Sequence, residues 1–316
     1  MLIREIVGPI GRGPEPDHCF DAATAASLFD VVFGDGAVDL ELGATLAALR
    51  LRGLCVQEVV AAMAALVPRL STVAVDPGRP VVSIPSHNGT WRDANLVVLV
   101  ACLLADAGVQ VVIHGVATDP CRTTTAQVMR AMGLPCAGRS PAEAGDALAR
   151  GDPAFVPVDR LSPRLAALLA LRGRMGVSNV AHLLSRLINP TDSPACLRLV
   201  PVARPASRAL VRDYFAHTGE SVLVLCGREG EAVPDGSPAD PIVWVHDGRC
   251  EPLPTTAAPR APGAPVLPDA RDAGATARWI QSVLAGERPV PASIDAEVGA
   301  VLHVLGCRPD AASYHR

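Results

Sequence analysis

The chain changes its hydrophobic period more than once. Over residues 21–67, apolar side chains recur every three or four positions, the spacing of one helix face. Ala25, Leu28, Phe29 and Val32 form the first stripe, behind Asp21 and Thr24, whose oxygens suit a helix start. GDGAVD (34–39) reads as a turn. Leu42, Leu46 and Leu49 carry the pattern on to RLRG (50–53), where basic residues and a glycine suit a helix end. VQEVVAAMAALV (56–67) predicts a third helix, and 68–80 a crossing strand or linker. Leu46, Leu49 and Leu51 place apolar groups on more than one side of a short helix, which calls for a partner surface as well as a core.

From residue 80 the period shortens. PVVSIP (80–85) is a β-branched run that ends in a polar loop, SHNGTWRD (86–93). A helix over 94–107 follows, then the strand VQVVIHG (109–115), the loop ATDPCRT (117–123) and a helix to about residue 132. Strand, loop and helix in alternation predict a parallel sheet with ligand loops at the carboxyl ends of its strands. The helical period returns over 161–190, interrupted near Gly173 and Gly176. SVLVLCG (221–227) and PIVWVHDG (241–248) read as strands, and 252–268, rich in Pro and Ala, as an exposed loop. Residues 269–286 and 292–306 are amphipathic helices.

Composition narrows the function. With 49% hydrophobic and 19% charged residues, the chain suits a well-buried globular protein. The longest apolar run, 96–105, is about half of the roughly 20 residues a membrane span needs, and reads as a core helix. No membrane association is expected. The net charge of −4 argues against a generic polyanion binder, although a local basic stripe still acts within a Debye length of about 8 Å. Every basic residue is Arg, so no Lys can serve as a phosphate point charge. The nine Cys are odd in number and form no C-x-x-C pair, which suggests neither a disulfide framework nor a zinc site. Residues 1–13 hold no signal-peptide core, and a reducing, cytoplasmic location is expected.

Specific strings resemble the anthranilate phosphoribosyltransferases and their glycosyltransferase family 3 relatives. DLELGATLAALRLRG (39–53) looks like that family's third-helix text. IHGVATDPCRT (113–123) stands where the enzymes carry K-H-G-N-R-S, and RGRMGVSNVAHLLSRLINP (172–190) is similar to their returning helix. The match is closer to the YbiB-type branch of TrpD-like proteins. Its I-P-S-Y-N-G, A-N-L, H-G-V-x-x-D-P-x-R, R-M-G-V-R-N-x-x-H-x-L and T-A-x-W-I-x-x-x-L-A-G motifs fall in order at 84–89, 94–96, 114–122, 174–183 and 276–286. The resemblance implies an α/β fold: a small all-helical domain of 1–70 with 158–190, which dimerises in relatives, and a larger α/β domain of 71–157 with 191–316 around a mostly parallel sheet. It also implies nucleic-acid binding without clear catalysis, the description attached to that branch.

The residues that would carry chemistry depart from the enzymes. Their pyrophosphate turn, G-T-G-G-D, corresponds to Pro85-Ser86-His87-Asn88-Gly89, with one glycine and a proline that lacks an N–H. Ser86, His87, Asn88, Gly89 and Asn95 remain ligand-loop candidates, with His114, Gly115, Asp119 and Arg122 of the second loop. His114 suits acid–base work near neutral pH or a structural hydrogen bond. Asp119 and Arg122 suit a mutual pair or a phosphate contact. The family's Lys and Asn positions hold Ile113 and Val116. Glu229 and Glu231 stand near the expected acidic pair and are weak metal candidates; magnesium is expected only if phosphoribosyl pyrophosphate binds, and otherwise no cofactor.

Projected on a continuous helix, Arg172, Asn179, His182 and Arg186 lie within about 80° of one another and form a polar stripe, with Arg174 roughly opposite. Arg forks suit phosphate oxygens. The expected function is therefore sequence-independent DNA or RNA binding by a homodimer. The alternatives are a glycosyltransferase family 3 enzyme, phosphoribosyltransferase or phosphorylase, that does not use anthranilate, and a small-anion sensor at the altered loop.

Overall fold

The computed structural model describes residues 19–34, 39–136, 140–233, 241–254 and 267–307. The expected turn at 34–39 and loop at 252–268 lie largely outside them. The chain divides into two compact units, Met1–Ser71 with Ser162–Ile188, and Thr72–Leu161 with Asn189–Arg316.

The first unit is helical. Its helices are Ala22–Phe33, Asp39–Arg52, Val56–Leu66, Pro163–Ala170, Arg172–Met175 and Ala181–Leu184. Asp21 caps the first by accepting from Thr24 N at 2.9 Å. The stripes predicted from spacing are the buried ones: Leu28, Phe29, Val32, Leu46 and Leu49 are all fully buried. Glu58, 1% exposed, is held by Arg52 at 2.6 Å and by the N–H of Phe20 at 3.0 Å. Charge-assisted bonds of this kind offset the cost of burying a carboxylate. Cys19 and Cys55 are joined as a disulfide, where the odd count and the lack of a C-x-x-C pair suggested no disulfide framework. The returning segment is not one helix. It ends a turn at Gly176, whose φ of +72° is left-handed, and resumes at Ala181; Gly173 sits inside the short helix Arg172–Met175.

The second unit is built on one seven-stranded sheet, ordered β3-β2-β1-β4-β5-β6-β7. The strands are β1 (Val81–Ser86), β2 (Gln110–Gly115), β3 (Ala154–Pro157), β4 (Leu197–Pro201), β5 (Val222–Leu225), β6 (Val243–His246) and β7 (Arg249–Pro252). β1 to β5 are parallel, and β6 and β7 add on antiparallel. Strands β1, β2 and β4 are buried at every position, as a sheet covered on both faces requires. The 96–105 run forms the core helix Val97–Asp106, buried from Val97 to Leu104. No helix among the described residues is long and apolar enough to cross a membrane. Chain order reverses at β1, which pairs with β2 on one side and β4 on the other. That is the switch point where open α/β sheets gather their ligand loops.

Candidate functional site

Three loops meet at the carboxyl ends of β1, β2 and β5. Register sets Pro85 beside His114 and Ser86 beside Gly115. The approach is close: a Cβ on Gly115 would lie 1.6 Å from Ser86 O, so this position admits only glycine. Above it, Thr90 and Thr123 exchange backbone hydrogen bonds of 3.0 and 2.8 Å and tie the first two loops together. Gly89 turns the first loop with φ +65°. Beneath it lies a buried polar network. Ser86 Oγ is 2.7 Å from Thr125 Oγ1, which donates to Asn95 Oδ1, while Asn95 Nδ2 donates to Thr123 O.

His87 and His114 are both buried, with His87 Nε2 3.2 Å from His114 Nδ1. Burial pushes the His114 imidazole down to about 3, so it is neutral at physiological pH. Of the two roles expected for His114, the structural hydrogen bond is the one the geometry supplies, to His87. Asp119 folds back on its own loop, accepting from Cys121 N at 2.9 Å, and Arg122 donates to Gly89 O at 3.3 Å. Both also line a cleft of about 680 Å3 with Trp91, Gln127 and Arg271.

The β5 loop supplies what the sequence left obscure. Glu231 Oε1 accepts from the N–H groups of Asn88 and Gly89, at 2.9 and 2.7 Å. Glu229 accepts from Trp91 N at 2.8 Å, Arg92 N at 2.7 Å and Asp93 N at 3.1 Å. Arg228 reaches Asp93 at 3.1 Å and pins the same contact. The pair read as a weak metal site thus faces donors, not a cation. A magnesium ion does not fit here, since N–H groups offer it no lone pair, and no group of three or more His, Cys, Asp or Glu converges among the described residues. The backbone donors of Trp91, Arg92 and Asp93 were missed by the sequence reading, because main-chain direction leaves no mark in residue type.

In the helical unit, the arginine stripe is only partly as projected. Asn179 is buried, donating to Leu168 O at 2.7 Å and accepting from Ala181 N at 3.0 Å. His182 is also buried, with Nδ1 3.3 Å from Asn179 N. Neither lies on an exposed stripe, because the break at Gly176 rotates the second half of the segment. Burial, then the nearby Arg172 and Arg186, and more weakly Arg50, push His182 down to about 4. The charges of Arg172 and Arg186, with a weaker contribution from Arg50 of another helix, thus act on His182. Arg174 is exposed and pairs with Asp39 at 3.0 Å.

A helical unit combined with a five-strand parallel core and a two-strand antiparallel edge defines the class: the chain belongs to the anthranilate phosphoribosyltransferase-like, or TrpD-like, family. It is 34% identical over 314 residues to the uncharacterized protein YbiB of Escherichia coli (strain K12), covering 97% of this chain and 95% of that protein. It is 27% identical to the anthranilate phosphoribosyltransferase of Anaeromyxobacter sp. (strain Fw109-5), over 93% of this chain and 87% of the enzyme. The fold matches the crystal structure of anthranilate phosphoribosyltransferase from Thermus thermophilus with a TM-score of 0.73 at 22% identity, covering 93% and 88% of the two chains. No protein-family model matches the chain.

Proposed function

We propose that this protein binds DNA or RNA without regard to sequence, as a dimer, and does not transfer phosphoribosyl groups. The observation that carries the reading is the positive charge around His182 in the helical unit, to which Arg172, Arg186 and more weakly Arg50 contribute. Arg suits phosphate oxygens because its planar fork donates two hydrogen bonds at once. Exposed Arg174 stands on the same segment. The acidic net charge of −4 is a whole-molecule quantity, and phosphate contacts are made within a Debye length. Phosphate contacts carry no base information, so recognition is indifferent to sequence. The resemblance to the YbiB-type branch supports the same reading. Against the enzyme alternative stands the β1 loop, whose N–H donors already serve Glu229 and Glu231.

The test is fluorescence anisotropy with mixed-sequence oligonucleotides across a salt series. Each neutralised phosphate adds about −0.9 to the slope of log K against log salt for duplex and about −0.7 for single strands. Reversing Arg172→Glu and Arg186→Glu together abolishes binding to both. No wild-type binding at low salt, or a double variant that binds as tightly as wild type, refutes the reading.

A further inference from the structure

The β1 loop has not lost its anion-binding geometry. Five of its backbone N–H groups, those of Asn88, Gly89, Trp91, Arg92 and Asp93, point at oxygens that carry negative charge. They divide into two lobes, two donors on Glu231 and three on Glu229. Converging main-chain donors of this kind are the standard receptor for phosphate oxygens. What differs is the occupant, which belongs to the chain itself.

The β5 loop is bent to deliver these carboxylates. Glu229 has φ +51°, a left-handed conformation unusual for a side-chain-bearing residue, and Gly230 follows at +81°. Gly227 is the pivot: a Cβ there would lie 2.1 Å from Glu231 O. Glu231 is fully buried and Glu229 half-buried. A strained backbone that places two carboxylates on five donors is held by those bonds.

We propose that Glu229 and Glu231 are resident competitors: they occupy a two-lobed cradle that would otherwise take a diphosphate-class anion, and they exclude such anions from the wild-type protein. Exclusion comes from occupancy and from charge repulsion, and not from missing donors. This proposal is independent of nucleic-acid binding by the helical unit, so either can fail alone.

The deciding variant is Glu229→Gly. Glycine adopts φ +51° without cost, so the substitution removes three acceptor contacts while easing the backbone. Inorganic pyrophosphate is titrated by calorimetry at low salt without divalent cations, and the amide signals of Asn88 to Asp93 are followed by NMR. Wild type is expected to show no saturation up to about 10 mM, and E229G to bind at least about tenfold tighter, with those amides shifting. Adding Glu231→Gln, which removes the second charge at constant shape, tightens binding further. If E229G does not fold by circular dichroism, Glu229→Gln takes the same titration with the same expectation. The proposal is overturned if a folded variant binds no tighter than wild type, if wild type itself saturates, or if pyrophosphate binds without moving the amides of this loop.

Discussion

Glu297 is a buried carboxyl of the α/β unit, and removing it is expected to stabilise the protein. It lies on the helix Ala292–Val304, fully buried beside Ile294, Val298 and Val301, which are fully buried too. Among the described residues, neither carboxyl oxygen has a hydrogen-bond partner. An unpartnered buried polar group costs about 1–3 kcal/mol. Burial also pushes this carboxyl well above the usual carboxylate range, so it stays protonated where an exposed glutamate would ionise. The sign of the linkage follows. Below the unfolded value, about 4.3, both states hold the proton and its contribution is fully present. Above it the unfolded chain ionises while the native state does not, and stability falls by about 1.4 kcal/mol per pH unit until the native group titrates.

Glu297→Met keeps the side-chain length and removes both oxygens. Urea unfolding followed by tryptophan fluorescence suits the comparison, because Trp279 is buried in the same core. At pH 7 the variant is expected to be more stable by at least about 1–3 kcal/mol. The difference is expected to shrink at pH 5, since less of the linkage cost has then accrued. Glu297→Gln, which keeps the polar atoms but cannot ionise, isolates the pH-dependent part. If E297M is less stable than wild type at both pH values, Glu297 is ionised and held by a cation, and this reasoning is wrong.

Two further outcomes are expected. His182, held near 4 by burial and by its arginine neighbours, stays neutral from pH 6 to 8, so nucleic-acid affinity is flat across that range; an NMR inflection of this imidazole above pH 5.5, or clearly tighter binding at pH 6 than at pH 8, contradicts it. Leu40 and Leu51 are 82% and 88% exposed on one helix, and a separation of eleven residues returns them to the same face; we expect this stripe to join two copies, so light scattering should give a dimer for wild type and a monomer for Leu40→Glu with Leu51→Glu, and a wild-type monomer at micromolar concentration refutes it.

The parts of the fold legible in the sequence are those where period and length agree. The stripes of 21–67 are long enough to show a helical face, and VQVVIHG is β-branched and bounded by turns. The strand AFVP at Ala154–Pro157 and the strand RCEP at Arg249–Pro252 escaped notice for opposite reasons. The first is four buried residues, too short for any period to show. The second is exposed at all four positions and carries no apolar pattern. The helix Pro205–Thr218 also went unread; only Val211, Tyr214 and Phe215 of its fourteen residues are buried, too few to mark a stripe. Asn179 and His182 were misplaced because a helical projection assumes an unbroken helix, and one left-handed glycine changes which way everything after it faces.

The two glutamates show a deeper limit to residue-level reading. A pair of carboxylates near a ligand loop has the same appearance whether it awaits a cation or already holds donors. Residue type supplies the charge of Glu229 and Glu231, but the sign of what they face is set by topology. Because β4 lies between β1 and β5, the loop after β5 must cross the end of β4 to reach the β1 loop. It arrives where Gly89 and its neighbours turn their N–H groups outward. The separation of 142 positions from Gly89 to Glu231 hides that meeting from any local motif. The same geometry explains why counting glycines misleads. A glycine-rich turn is one way to aim N–H groups at an anion, yet here five donors converge with a single glycine among them. The cradle is a property of backbone direction, which Pro85 and His87 do not destroy, and its selectivity is a property of a segment more than a hundred residues away.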